Sequence, residues 1–306
     1  MRNRNFLPAR SLKSMSGDMS FHIVCFLILF LAFVVVLYPL LYTVVCSFSA
    51  TEAIIQGRVF LWPVDPSVGA YQAVFNHGLL RSGFLNSLFY VVGGTAVGVT
   101  LVLLAAYPLS RRDLPDRKLF TVFFVITMFF SGGLIPSYIL MSKLHLVGSR
   151  WALIIGVGFS CYNMIIVKSY FQNSVPAGLL DAAHIDGCRD LQFFLKIALP
   201  LSTPVIAVIV LFNSVSIWNG YFSGMLYLTK PATFNFQMIL RDILFVAQMS
   251  PEMMEGIDPR LLANLQSLMQ QVRYAVLVVG AMPMMILYPF IQKYFIRGMM
   301  IGSLKE

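Results

Sequence analysis

Residues Ser174 to Pro204 read SVPAGLLDAAHIDGCRDLQFFLKIALPLSTP, an island of three aspartates, two cations and a histidine between long apolar stretches. Ser174 is suited to N-cap a short helix, with Pro176 tolerated in the first turn, where backbone N–H groups have no intrahelical acceptor. Leu179, Leu180, Ala182, Ala183 and Ile185 would form a compact apolar surface, with Asp181 and His184 on other faces. Gly187 fits a left-handed stop. A second helix-permissive segment runs from Asp190 to Leu199, until Pro200 and Pro204 bend the approach to the next apolar run. The spacing predicts a helix-turn-helix between two hydrophobic spans.

The flanking sequence sets the class. Of 306 residues, 58% are hydrophobic and only 11% charged, with a mean hydropathy of +0.78, which marks an integral membrane protein. Six stretches approach the roughly 20 residues needed to cross about 30 Å of hydrocarbon. They are Phe21 to Ser47, Asn86 to Ser110, Leu119 to Met141, Trp151 to Val167, Ile197 to Leu228 and Tyr274 to Gln292. Hydrocarbon offers the backbone no hydrogen-bonding partner, so such runs must be helical, and the alternation of an outer-membrane barrel is absent. The expectation is an all-α protein with three parts. A cytoplasmic segment at 1–20 precedes a six-helix domain at 21–296, with a loop at 174–200 and an outer segment at 219–273, and a tail follows at 297–306.

Charge orients the chain. The 22 Lys and Arg against 13 Asp and Glu give a net charge of +9, but the cations are scattered among spans, so topology and not nucleic acid accounts for them. An even number of spans puts both termini on one side. That side holds Arg2, Arg4, Arg10 and Lys13, then Arg111, Arg112, Arg117 and Lys118, then Lys168, Arg189 and Lys196, then Lys293, Arg297 and Lys305. These are 14 of the 22 cations, with 8 opposite, so the excess side is expected in the cytoplasm and the protein in the cell membrane. Phe21 to Ser47 is far longer than the apolar region of a signal peptide, and Cys46-Ser47-Phe48-Ser49-Ala50 makes a poor cleavage site, so the first span is expected to be retained. Cys25, Cys46, Cys161 and Cys188 read as small buried hydrophobes, not a disulfide framework.

No Asp, Glu, Lys or Arg falls within the six spans as drawn, whereas proton- and sodium-coupled transporters commonly carry such groups at depth. GxxxxGK[ST], HExxH and GxSxG patterns are missing too, as are metal-ligand clusters. The chain reads as no enzyme, with no cofactor or metal of its own. Energy for uphill movement would come from a partner.

A short helix presenting an apolar knob among charges suits a groove in another protein. An amphipathic helix resting on headgroups would instead pair cations with bulky apolar residues, whereas this one offers Asp181, Asp186 and alanines. Asp181-Ala182-Ala183, then Ile185-Asp186-Gly187, then Leu199-Pro200-Leu201 resemble the EAA loop of permease subunits in binding-protein-dependent ABC importers. Ser-x-Pro before the loop and Phe194 to Pro200 after it are similar to the carbohydrate-importing branch. Phe130 to Pro136 and Gln292 to Gly298 likewise resemble oligosaccharide permeases related to maltose importers. The resemblance implies a type I importer fold and a coupling role for Asp181, Ala182, Ala183, Asp186, Gly187 and Pro200, with Ala182 and Ala183 packed in a cleft of the ATPase. It also implies three kinds of partner: a dimer of ATP-binding subunits holding ATP and Mg, a second homologous permease, and an extracytoplasmic solute-binding protein. This chain carries Asp where the motif usually has Glu, which shortens the reach of that acid by one methylene.

Neutral sugars are held by aromatic faces and by Asn, Gln, Ser and Tyr hydrogen bonds. Asn213, Ser216, Trp218, Asn219 and Tyr221, with Ser214 beside them, and Tyr162 and Asn163 are the candidates for a substrate pathway. Interhelical hydrogen bonds and an interfacial aromatic belt account for the same residues. Gly94 and Gly98 form a GxxxG pair suited to close helix approach, and Pro136 is placed to kink the third span. The outer segment, with Glu252, Glu255 and Asp258, is too long for a plain connector and is expected to fold and meet an extracytoplasmic partner. Beside the ABC permease stand two other readings, an ion-coupled secondary transporter and a membrane receptor or scaffold, for which a soluble signalling domain would be expected.

Overall fold

The computed structural model describes residues 12–156, 158–246 and 272–292. The amino-terminal cations Arg2, Arg4 and Arg10, the acids Glu252, Glu255 and Asp258, and the motif from Lys293 to Gly298 lie outside the described residues. The long helix α1 (Leu12–Ser47) is followed by the short α2 (Thr51–Ile55) and α3 (Gly69–Asn76), and then by α4 (Gly78–Ser110). Next come α5 (Arg117–Phe129), α6 (Leu134–Lys143), α7 (Trp151–Gly156), α8 (Cys161–Ser174) and α9 (Ala177–Ile185). A continuous helical stretch, Asp190–Leu201, comprises α10 (Asp190–Phe193), a π turn (Phe194–Ala198) and α11 (Leu199–Leu201). Beyond it lie α12 (Thr203–Trp218), α13 (Tyr221–Tyr227), a 3-10 turn (Pro231–Thr233), α14 (Phe236–Val246) and α15 (Val272–Gln292).

Only three of the six expected spans are continuous: Phe21–Ser47 within α1, α4, and α15. The third bends by 110° between α5 and α6. Pro136 is not the cause: it is the third residue of α6, where no intrahelical donor is lost, whereas Gly133 stands at φ +85°, open to glycine alone without strain. The fourth divides into α7 and α8, because Gly156, Gly158 and Ser160 favour a stop and a new cap, and Ser160 Oγ accepts the Asn163 N–H at 3.3 Å. The fifth bends by 79° at Ser202 and stops again at Asn219-Gly220. Pro200 has no N–H to give, and the preceding turn widens so that the Leu199 N–H reaches back to the Phe194 carbonyl.

The 33-residue α4 runs about 50 Å and forms the axis, packing against α3, α7, α8, α12, α14 and the 3-10 turn. Close approach is built into it: a Cβ on Gly98 would lie 2.5 Å from the Gly158 carbonyl oxygen, and one on Gly94 would lie 2.8 Å from Ile217 Cδ1. At the end that carries the loop, Val102, Ala106 and Leu109 of α4 form a core with Met164, Val167 and Phe171 of α8 and Val205 and Ile209 of α12. At the other end the outer segment is stitched onto α4. Asn86 Nδ2 donates to the Ala232 and Phe234 carbonyls at 2.8 and 3.1 Å, Tyr90 donates to Thr233 O at 2.7 Å, and Ser87 Oγ accepts the Phe236 N–H at 2.8 Å. By contrast none of the most apolar window of Phe21–Ser47 is buried, although the end of α1 joins the rest through the Ser47 and Tyr71 hydroxyls, 2.7 Å apart, and the Tyr42–Tyr274 ring contact. Of the four free cysteines only Cys46 is fully buried.

Candidate coupling loop and translocation face

Ser174 closes α8, and Pro176, not Ser174, occupies the position before α9. The stop is as expected: Gly187 stands at φ +76°, its N–H bonds the His184 carbonyl at 3.0 Å, and the Cys188 N–H reaches the Ala183 carbonyl at 2.9 Å. The Gln192 side chain then accepts the Arg189 N–H at 3.2 Å and starts α10.

The two faces of α9 differ in destination. Ala183 is 7% exposed and belongs to the chain's own core, with Leu180 packed beside it. The resemblance places Ala183 in a partner's cleft, whereas here its side chain lies in the chain's own core, in the cluster that includes Val102, Phe171 and Phe193. Gly178, Asp181, Ala182 and Ile185, at positions i, i+3, i+4 and i+7, form an exposed stripe, and Ile185 is 87% exposed. Asp186 and Gly187 are exposed at the tip. The expected single apolar surface is therefore split, because a nine-residue helix lying on a bundle must turn one side inward. Pro200 lies in α11, where the widened turn leads into the bend.

An ionic contact without a motif of its own fastens this loop. Arg111, which ends α4, donates from Nε to Asp113 Oδ1 at 2.9 Å, from Nη2 to the other oxygen of Asp113, and from Nη1 to Asp190 Oδ1. His184 Nε2 lies 3.2 Å from the same Asp190 oxygen. Beside Arg111 the carboxyls of Asp113 and Asp190 are held below the usual carboxylate range, and hydrogen bonding, first to Asp113, pushes the guanidinium up. Groups with depressed values contribute above the ordinary carboxylate range and lose that contribution as pH falls through the depressed values, so the contact is complete at neutral pH. The carboxylates are more than half exposed, and pairs of this kind contribute little to folding, about 0 to 1 kcal/mol. Lys168, counted with the loop cations, instead lies within α8 and donates to Thr121 Oγ1 of α5 at 3.0 Å.

The pathway candidates also divide. Asn163 Nδ2 donates to Asn213 Oδ1 at 2.9 Å in a buried pair, and Ser214 and Thr95 hydroxyls meet at 3.3 Å. Trp218 is 1% exposed, gives its Nε1–H to the Gly280 carbonyl at 2.8 Å, and meets the Phe84 and Phe236 rings at 5.6 and 6.2 Å. Asn163, Asn213 and Trp218 therefore join helices in this chain, where the sequence reading placed them on a substrate pathway. Tyr162, Ser216, Asn219 and Tyr221 remain exposed, Tyr221 with the Arg241 guanidinium 5.6 Å from its ring centroid. Tyr138 and Tyr227, passed over in the sequence, stack at 6.2 Å with ring planes 8° apart. Trp218→Ala should cost about 3–5 kcal/mol of stability, read as a lower unfolding temperature of the detergent-solubilised protein. An unchanged unfolding temperature would remove Trp218 from the core.

Residues 94–301 match the model of the binding-protein-dependent transport system inner membrane component family. The chain is 40% identical, over 87% of its length and 92% of the relative's, to a Bacillus subtilis protein described as the polygalacturonan/rhamnogalacturonan transport system permease protein YtcP. It is 36% identical to protein LplC of the same organism, over 87% and 88% of the two chains. Among solved structures, one chain of a bacterial ABC transporter that imports the acidic polysaccharide alginate superposes with a TM-score of 0.82 at 34% identity, covering 94% of this chain and 100% of that one. These matches do not favour the ion-coupled alternative, and the loop at 174–200 lies inside the matched region. The chain belongs to the family of binding-protein-dependent transport system inner membrane components, the permeases of ABC importers.

Proposed function

We propose that the chain forms half of the pore of an ATP-driven importer whose cargo is an oligosaccharide derived from an acidic polysaccharide. The observation that carries the coupling role is the uncovered stripe of α9, where Gly178, Asp181, Ala182 and Ile185 offer a small-residue surface with an apolar tip. An ATPase dimer, with ATP and Mg, docks there from the cytoplasm. The second half of the pore comes from a homologous permease, and a solute-binding protein meets the segment that Asn86, Ser87 and Tyr90 hold against α4. Both termini lie in the cytoplasm. Support for the cargo comes from the two relatives named for pectic polymers and alginate. Of the pathway candidates, Tyr162, Ser216, Asn219 and Tyr221 are the exposed ones and would meet it.

The complex reconstituted with its ATPase, partner permease and binding protein should be screened for uptake and stimulated ATP hydrolysis. Oligogalacturonates or oligoalginates are expected to stimulate both, and maltooligosaccharides neither. Stimulation by neutral glucans alone would overturn the acidic assignment. With the correct cargo, Tyr162→Ala and Ser216→Ala should lower uptake while assembly is unchanged.

A further inference from the structure

The connection between α4 and α5, with the first turn of α5, carries Arg111, Arg112, Asp113, Asp116, Arg117 and Lys118, and at Arg111 four segments meet. Its side chain is 15% exposed although those of Asp113 and Asp190 are 59% and 64% exposed. The guanidinium takes both oxygens of Asp113 in the α4–α5 connection and reaches Asp190 in the first turn of α10. Through the shared Asp190 oxygen the contact extends to His184 in the last turn of α9. Arg117 Nη1 donates to the Arg111 carbonyl at 3.2 Å and closes the connection on itself.

The geometry points to Arg111 as the positioning residue that locks α9 to the end of α4, so that a displacement imposed on α9 moves α4 and is not absorbed by rotation of α9 alone. This rests on α9 being the surface the ATPase pushes. The apolar hold on α9 is slight: Ala183 is buried and Leu180 partly so, while Leu179 and Ile185 are exposed. Apolar packing of that size has no preferred direction. A planar guanidinium gripping two carboxylates does, because its donors lie in a fixed fork. By contrast α10 and the π turn have their own anchors in Phe193 and Phe194, at 1% and 6% exposure, so the polar contact matters most for α9. Its output is broad, since α4 touches α3, α7, α8, α12 and α14.

The test uses the complete reconstituted importer and reads sugar transported per ATP hydrolysed. Arg111→Gln should leave the complex assembled and hydrolysing ATP but lower that ratio about fivefold, the scale on which residues along a coupling route act. Asp190→Asn, which removes the same contact from the opposite end while keeping its shape, should do likewise. Arg111→Lys should recover part of the ratio, since an ammonium keeps the charge but cannot span both carboxylates. An unchanged ratio in Arg111→Gln and Asp190→Asn would overturn the proposal. So would parallel loss of assembly, hydrolysis and transport in both, which would mark the cluster as structural only. A wild-type complex whose ATP hydrolysis drives no uptake would instead overturn the reading of α9 on which the proposal rests.

Discussion

Ala183→Leu is expected to abolish uptake while ATP hydrolysis continues. The alanine Cβ sits in a core made by α4, α8, α10 and the π turn, and three added carbons there would cost about 1–3 kcal/mol in overpacking. The bundle has a cheaper way to relieve this than to expand. Because α9 is held by so few apolar contacts, it would swing off the bundle, and an energy of that size shifts the docked population about 5–150-fold. The complex should still assemble through its membrane helices, with hydrolysis no longer matched to transport. Reconstituted vesicles loaded with ATP would report both quantities, and normal uptake by Ala183→Leu would sink the inward assignment. Substitution of Ala182, whose side chain is on the exposed stripe, would act differently, by weakening attachment of the ATPase.

Gly98→Val should be strongly destabilising within the membrane helices. Its Cβ would lie 2.5 Å from a backbone oxygen at Gly158 and 2.7 Å from Asn213 Nδ2. Neither can yield cheaply: one belongs to the α7–α8 break, and the other to the buried Asn163–Asn213 hydrogen bond. Relief requires α4 to part from both α8 and α12, at a cost of about 3 kcal/mol or more, and the exposed amide pair would add about 0.6 kcal/mol. Gly94→Ala is a useful contrast, because its tightest contact is the terminal methyl of Ile217, which can change rotamer. Unfolding temperatures of the purified complex should rank wild type, then Gly94→Ala, then Gly98→Val. Equal values for the two variants would show that backbone contact is not what limits the site.

What the sequence disclosed follows from what each signal measures. Hydropathy reports the transfer of side chains into lipid, so it located every apolar run, but it is blind to whether the backbone inside a run stays helical. Glycine within an apolar run fits close helix approach as well as a break, so composition does not single out Gly133. The loop was legible because its punctuation is local: Pro176, Gly187 and Pro200 act on their own turns. Spacing gives the faces of a helix such as α9, with Ala183 on one of them, without saying which neighbour covers each. Trp218 and Asn213 fit a sugar site and a helix joint equally well in composition, and only the positions of Gly280 and Asn163 separate the two. The Arg111 contact has little local signature, since Asp190 lies 79 residues along the chain and of its two carboxylates Asp113 alone is close in sequence.

The break in the third span has a bearing on how much of this protein a cell can hold. Phe130 to Gly133 are exposed on the chain by itself, Phe130 at 77%. With its 13 residues, α5 rises only about 20 Å from Arg117, short of the roughly 30 Å of hydrocarbon, so the break falls at a depth where lipid cannot solvate irregular backbone. A lone copy is therefore a poor solute for its own bilayer, and only a covering protein surface or a water-filled cavity makes it a good one. Copies made in excess of whatever shields that stretch are then expected to be cleared by membrane quality control, so that the chain expressed alone should show a shorter half-life in a pulse-chase than the chain expressed with its shield.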